Sequence, residues 1–158
     1  MFLFLFYILG WVAGIILMLT SSRHENMVLN LLAGHMLFSV GLGLIFCGVG
    51  HLLKGKEVAK SIGWVSNGFQ HELGFAALGI GVCGLLAPRM GLTFSLALII
   101  ITTFYLVGAA IVHMRDISVN RNFKPGNLLI IAPDILIPGT IILLWYAEAS
   151  KYFFLFGR

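Results

Sequence analysis

The chain has 158 residues, of which 59% are apolar and only 10% charged. A soluble domain places charge on about a quarter of its residues, so this composition excludes one; it also excludes a disordered chain, and two cysteines make no disulfide scaffold. The net charge of +4, from ten Lys and Arg against six Asp and Glu, suits anionic lipid headgroups better than a polynucleotide, which points to an integral membrane protein and away from nucleic acid.

A span needs about 20 apolar residues, and five such runs occur, at 2–20, 28–53, 69–87, 92–114 and 128–146. Backbone groups in lipid must bond within their own segment, so these runs are helices. The predicted fold class is all-α: one domain over 1–158, a membrane helical bundle of about five transmembrane helices, with a four-helix core and a peripheral N-terminal helix. The first helix carries no charge between Phe2 and Ser21, and it lacks both a leading Lys or Arg and a small-x-small cleavage site. It reads as a retained anchor, with Gly10-x-x-x-Gly14 as one close-packing notch against a single neighbour.

Short polar connections follow at 21–27, 54–68 and 115–127, and Pro88-Arg89-Met90-Gly91 marks the reversal between the third and fourth helices. The fifth helix contains Pro133 and Pro138. Proline has no amide hydrogen, so Pro138 frees the carbonyl of Asp134 and Pro133 that of Leu129, an interrupted helix of the kind that lines cavities. The tail 148–158 interleaves charges with Tyr152, Phe153, Phe154 and Phe156, as an interfacial segment or a partner-binding surface does.

Five crossings put the amino terminus and the connections 54–68 and 115–127 on one side. That side holds Lys54, Lys56, Lys60, Arg115, Arg121 and Lys124, against Arg23, Arg89, Lys151 and Arg158 on the other. The Lys/Arg excess favours a cell-membrane protein with its amino terminus in the cytoplasm.

Ionisable residues at membrane depth are costly and mark functional sites. Following each helix, the second ends near His51, the third begins near Gln70, His71 and Glu72, the fourth ends near His113, and the fifth meets Asp134 early. All approach one leaflet. Helical spacing puts Glu72 with Ala76, Gly79 and Cys83, a small-residue stripe that predicts an inward Glu72. His35 lies roughly 160° around its helix from His51, so the two cannot face one centre.

Four chemistries compete for this set. His51, Glu72, His113 and Asp134 could ligate a metal ion, although no Glu-x-x-His or His-x-x-x-His pair occurs. Imidazoles and buried carboxyls could relay protons. The set could hold the polar head of a lipid or quinone, and a haem between His51 and His113 is a further option. Against all of these stands a set of interhelical hydrogen bonds that only holds the bundle together. Cys47 and Cys83 sit on different helices at different depths, so no disulfide is expected.

Residues Ile62-Gly63-Trp64, Ser66, Phe69-Gln70-His71-Glu72-Leu73-Gly74, Leu78-Gly79-Ile80-Gly81-Val82 and Gly84-Leu85-Leu86, continuing at His113, Asn127, Asp134 and Pro138, resemble the signature of an uncharacterised family of small prokaryotic membrane proteins. That family loosely resembles the DoxX-like four-helix proteins, some of which are named as quinol oxidase subunits. This chain departs from the pattern with Gly68 in place of a proline and Ala77 in place of an asparagine. The resemblance supports the fold and the importance of Gln70, Glu72 and Asp134, and names no reaction.

The leading expectation is a pocket of His51, Gln70, Glu72, His113 and Asp134 near one leaflet. Acids supply charge, imidazoles supply ligands or proton transfer, Gln70 orients, and a metal ion or the head of an apolar redox ligand is bound. The alternatives are a non-catalytic accessory subunit of a larger membrane complex and, thirdly, a small transporter or proton channel; a homo-oligomer or a larger membrane complex is the expected assembly. Membrane lipids are partners under every reading.

Overall fold

The computed structural model describes residues 2–20 and 26–156, with side chains to Tyr152. Helices follow in the order α1 (Phe2–Thr20), α2 (Met27–His35), a π-helical stretch π1 (Met36–Leu42), α3 (Gly43–Leu53), α4 (Gly55–Ile62), α5 (Phe69–Asn120), α6 (Pro125–Leu129) and α7 (Ile131–Phe156). No strand occurs among the described residues. Four stretches are long and apolar enough to cross a membrane: Phe2–Thr20, Met27–Leu53, Phe69–Asn120 and Pro125–Tyr152. The protein is a helical membrane protein.

A straight helix of 52 residues would run about 78 Å, more than twice the ~30 Å hydrocarbon core. It does not run straight. Gly91 adopts φ 82° and ψ 178°, a backbone region open essentially to glycine alone. The Tyr105 hydroxyl reaches the Leu73 carbonyl at 3.4 Å, a contact a straight rod would forbid by tens of ångströms. The element is therefore a helical hairpin with limbs 69–90 and 92–120, and the apolar limbs number five, as the hydropathy pattern predicts.

The sidedness of the connections follows from direct contacts. Trp64 donates from Nε1 to Asp116 Oδ2 at 2.8 Å, Asn122 Nδ2 donates to the Ile62 carbonyl at 2.7 Å, and Lys124 Nζ lies 3.4 Å from the Lys60 carbonyl. Connections 54–68 and 115–127 thus share one end of the bundle. Phe2 and Phe6 pack on Phe46 near that end, so the start of α1 lies there too.

Small residues set the helix spacing. A Cβ on Gly34 would meet the backbone of Gly10 and Gly14, one on Gly84 the backbone of Gly41, and one on Gly48 the Gly74 carbonyl. Around these contacts Leu32, Met36, Val40, Leu44, Leu98, Ile99, Leu106, Ile137 and Ile141 form the buried core. Phe104 is 79% exposed and Leu143 70%, apolar side chains that only lipid would solvate. α1 packs chiefly on α2 and π1, and it also touches α7, where Tyr7 and Thr140 share a hydrogen bond of 3.1 Å.

Three boundaries differ from the sequence expectation. The polar connection 54–68 contains α4, which turns Val58, Ala59 and Ile62 inward and Lys56, Glu57 and Lys60 outward; it closes on left-handed Gly63, whose neighbour Trp64 donates back to the Ala59 carbonyl at 2.8 Å. The second limb of α5 runs to Asn120, six residues past the expected end. The expected interfacial tail instead continues α7 to Phe156, with Glu148 and Ala149 buried against the bundle. The expected connection at 21–27 falls largely outside the described residues.

Candidate functional site

Sequence reasoning gathers His51, Gln70, Glu72, His113 and Asp134 into one pocket, and the structure distributes them. His113 belongs to a hydrogen-bonded cap at the end of the bundle. Its Nδ1 lies 2.6 Å from Asn127 Oδ1, and because the Asn127 amide nitrogen donates to the Asn122 carbonyl at 3.0 Å, the oxygen is the acceptor and His113 donates. Trp64 stacks on the imidazole at 4.9 Å. Asp116 accepts from Asn120 at 2.7 Å, from Trp64 at 2.8 Å and from Asn122 at 2.6 Å. These three hydrogen bonds, that of Asn120 foremost, hold its carboxyl below the ordinary carboxylate range. The cap fastens α4, α5 and α6 together.

Gln70 donates from Nε2 to the Gly55 carbonyl at 2.9 Å and accepts from the Ser66 hydroxyl. It pins connection 54–68 to the start of α5. His51 is half-buried, and its Nδ1 is buried without a partner. Glu72 corrects the expectation of an inward carboxylate: it is exposed, with Ala76 and Gly79 exposed beside it. The limb presents a different small-residue stripe to the bundle, Gly74, Ala77, Gly81 and Gly84, against Gly41, Ile45 and Gly48. Two small-residue faces coexist on this limb, and backbone contact selects the one that lacks Glu72.

The proposed four-ligand metal centre is corrected with it. Among the described residues no group of three or more His, Cys, Asp or Glu side chains gathers closely enough to hold a metal ion. Glu72 faces outward, and His113 lies in the cap at the end of the bundle.

Asp134 lies deeper. The second limb of α5 and α7 run antiparallel, with Trp145 Nε1 donating to the Leu92 carbonyl at 2.9 Å at one end and His113 on Asn127 at the other. That register sets Asp134 opposite residues 103–106, two turns inward of the cap. It is 2% exposed and its Oδ2 has no partner. Thr102, with an unpartnered Oγ1, is at this depth. The helix break expected from the prolines falls at Ile130, between α6 and α7, where Pro133 withholds an amide from Leu129; α7 passes through Pro138 without interruption.

The sequence reading set His35 aside, and the structure brings it forward. His35 is fully buried at the junction of α2 and π1. Its ring meets Trp11 edge-on at 4.7 Å and Tyr7 at 5.4 Å. Nδ1 lies 2.9 Å from Ser39 Oγ, and Ser39 donates to the Phe6 carbonyl at 3.3 Å. Ser39 is then the acceptor for His35, which places the imidazole proton on Nδ1. Nε2 keeps a bare lone pair in the bundle interior with no donor facing it. A usable signal was present: Gly10, Gly14 and Gly34 mark close approach of α1, and Ser39 lies one turn from His35.

A family model described as a family of unknown function, DUF6790, matches residues 1–152. The chain belongs to that family. This agrees with the uncharacterised membrane family that the motifs resemble, and the match carries nothing about the DoxX-like group. No curated protein and no solved structure matches the chain.

Proposed function

We propose that this membrane protein relays protons through its interior, with Asp134 and His35 as the two titrating stations. The observation that carries the reading is the free lone pair on buried His35 Nε2, an acceptor without a donor where every unsatisfied polar group is costly. Asp134 supplies the second station, again with a free oxygen. Between them stand hydroxyls. Thr140 follows Asp134 by six residues on α7, about 9 Å along the axis, Tyr7 bonds to Thr140, and the Tyr7 ring adjoins His35. The π-helical stretch beside His35 supports the reading, since such segments occur frequently at functional sites. The Lys/Arg excess favours the cytoplasm for the capped end.

Purified protein in liposomes with an internal pH dye, driven by a potassium diffusion potential, tests this. Proton flux above protein-free vesicles is expected, falling to the vesicle baseline in Asp134→Asn and in His35→Gln. Wild-type flux at that baseline would end the reading.

A second reading rests on Asp134 and Thr102, whose free polar atoms share one depth: there they grip the polar head of an apolar ligand such as a quinone or lipid. Organic extraction of the purified protein and mass spectrometry decide it, with a stoichiometric lipophile that is lost in Asp134→Asn as the supporting result.

A further inference from the structure

The capped end carries a charge imbalance that the cap itself does not use. Lys54, Lys56, Lys60, Arg115, Arg121 and Lys124 are all exposed there. The acids of that end are Glu57, Glu72 and Asp116, and Asp116 is occupied by amide and indole donors. Among the described residues the one salt bridge, Lys151 with Glu148, lies at the opposite end. Among the described residues none of the six cations is paired with a carboxylate.

Two of the six are forced together by packing. α4 crosses α6 closely enough that a Cβ on Gly126 would strike the Ser61 carbonyl, and Lys124 Nζ sits 3.4 Å from the Lys60 carbonyl. Lys60 projects from the outer face of α4, and Lys124 immediately precedes α6. Two ammonium-bearing residues from separate elements therefore flank one crossing with no carboxylate paired to either. Beside them large apolar side chains point outward: Val65 is 89% exposed, Phe69 74% and Phe123 57%. Water would penalise that pairing of cations and bare apolar groups, whereas a bilayer interface solvates both, the apolar side chains among acyl chains and the lysines among phosphates.

The geometry points to a binding site for the phosphodiester headgroup of an anionic phospholipid at the α4/α6 crossing, held by Lys60 and Lys124 with Val65 and Phe123 seated against its acyl region. The apolar neighbours select a lipid over a free anion. The cap gives the site rigidity, because Trp64 on Asp116 ties the end of α4 to α5 and Asn127 on His113 ties α6 to it.

Native mass spectrometry of the protein released from micelles containing equal phosphatidylglycerol and phosphatidylcholine reads the preference directly. Wild type should retain phosphatidylglycerol selectively. Lys60→Gln and Lys124→Gln should each lower that selectivity roughly fivefold, and the double variant should remove it, while Arg89→Gln at the other end should leave it unchanged. The single variants decide the matter if the double variant does not fold. Equal retention of the two lipids by wild type, selectivity that survives in both single variants, an equal loss in Arg89→Gln, or displacement of the lipid by inorganic phosphate alone would overturn the proposal.

Discussion

A Cβ on Gly34 would press on backbone atoms of Gly10 and Gly14, and a facing backbone cannot rotate away as a side chain does. Gly34→Ala must therefore push α1 off α2, an overpacking that costs about 1–3 kcal/mol. Gly79 has nothing within 4 Å, so Gly79→Ala is expected to be neutral or to stabilise by up to about 1 kcal/mol. Thermal unfolding in detergent compares the two, and equal shifts would contradict the tight α1–α2 contact. The Tyr7–Thr140 bond is expected to couple by about 0.6 kcal/mol in a double-mutant cycle of Tyr7→Phe and Thr140→Val. The glycine notch is legible in the sequence because α1 keeps one helical period throughout. The importance of His35 is not, because the count of 3.6 residues per turn that placed it opposite His51 crosses π1, where that period does not apply.

Where the chain doubles back, conformation rather than space enforces glycine. Gly91 has open surroundings but a backbone angle that L side chains rarely adopt, so Gly91→Ala is expected to cost about 1–3 kcal/mol, measurable as a lower melting temperature with the helical circular dichroism retained. The Pro88–Gly91 cluster announces this turn plainly. The cap responds to acid in a defined direction. Asp116 is held below its ordinary value of 3.8, and a carboxyl depressed in the folded state contributes stability above its unfolded value that is lost only as pH falls through the lower folded one. In a Trp11→Phe/Trp145→Phe background, Trp64 emission should hold steady down to pH 3.8 and change below it, and Asp116→Asn should erase that transition. A change well above pH 3.8 in the parent would count against the cap. Helix order and depth are readable from hydropathy, but the azimuth of each helix is not: limb 69–90 offers two small-residue faces, and only contact with Gly41 and Gly48 decides which one turns inward and leaves Glu72 outside.

Five apolar limbs place the loops at 54–68 and 115–127 across the membrane from the hairpin tip at Gly91. Single cysteines introduced as Ser61→Cys and Arg89→Cys, in a Cys47→Ala/Cys83→Ala background, should react with an impermeant maleimide from opposite faces of sealed vesicles; labelling from the same face would exclude the topology. The charge pattern makes this arrangement legible from sequence, since six cations fall in two loops that a pair of crossings brings back to one side. The interior of the bundle is less legible, because its polar atoms gain meaning only from which neighbours they lack. One structural detail bears on how such a bundle can diverge. π1 spends its residues on a wider turn than an α-helix does, so deleting a single residue between Met36 and Leu42 would let the stretch tighten to an ordinary α-helix while His35 on one side and Cys47 and His51 on the other keep nearly their present relation. A lineage that lost one codon there would keep all five limbs, every loop and the facing of each imidazole, and would lose only the widened turn beside His35.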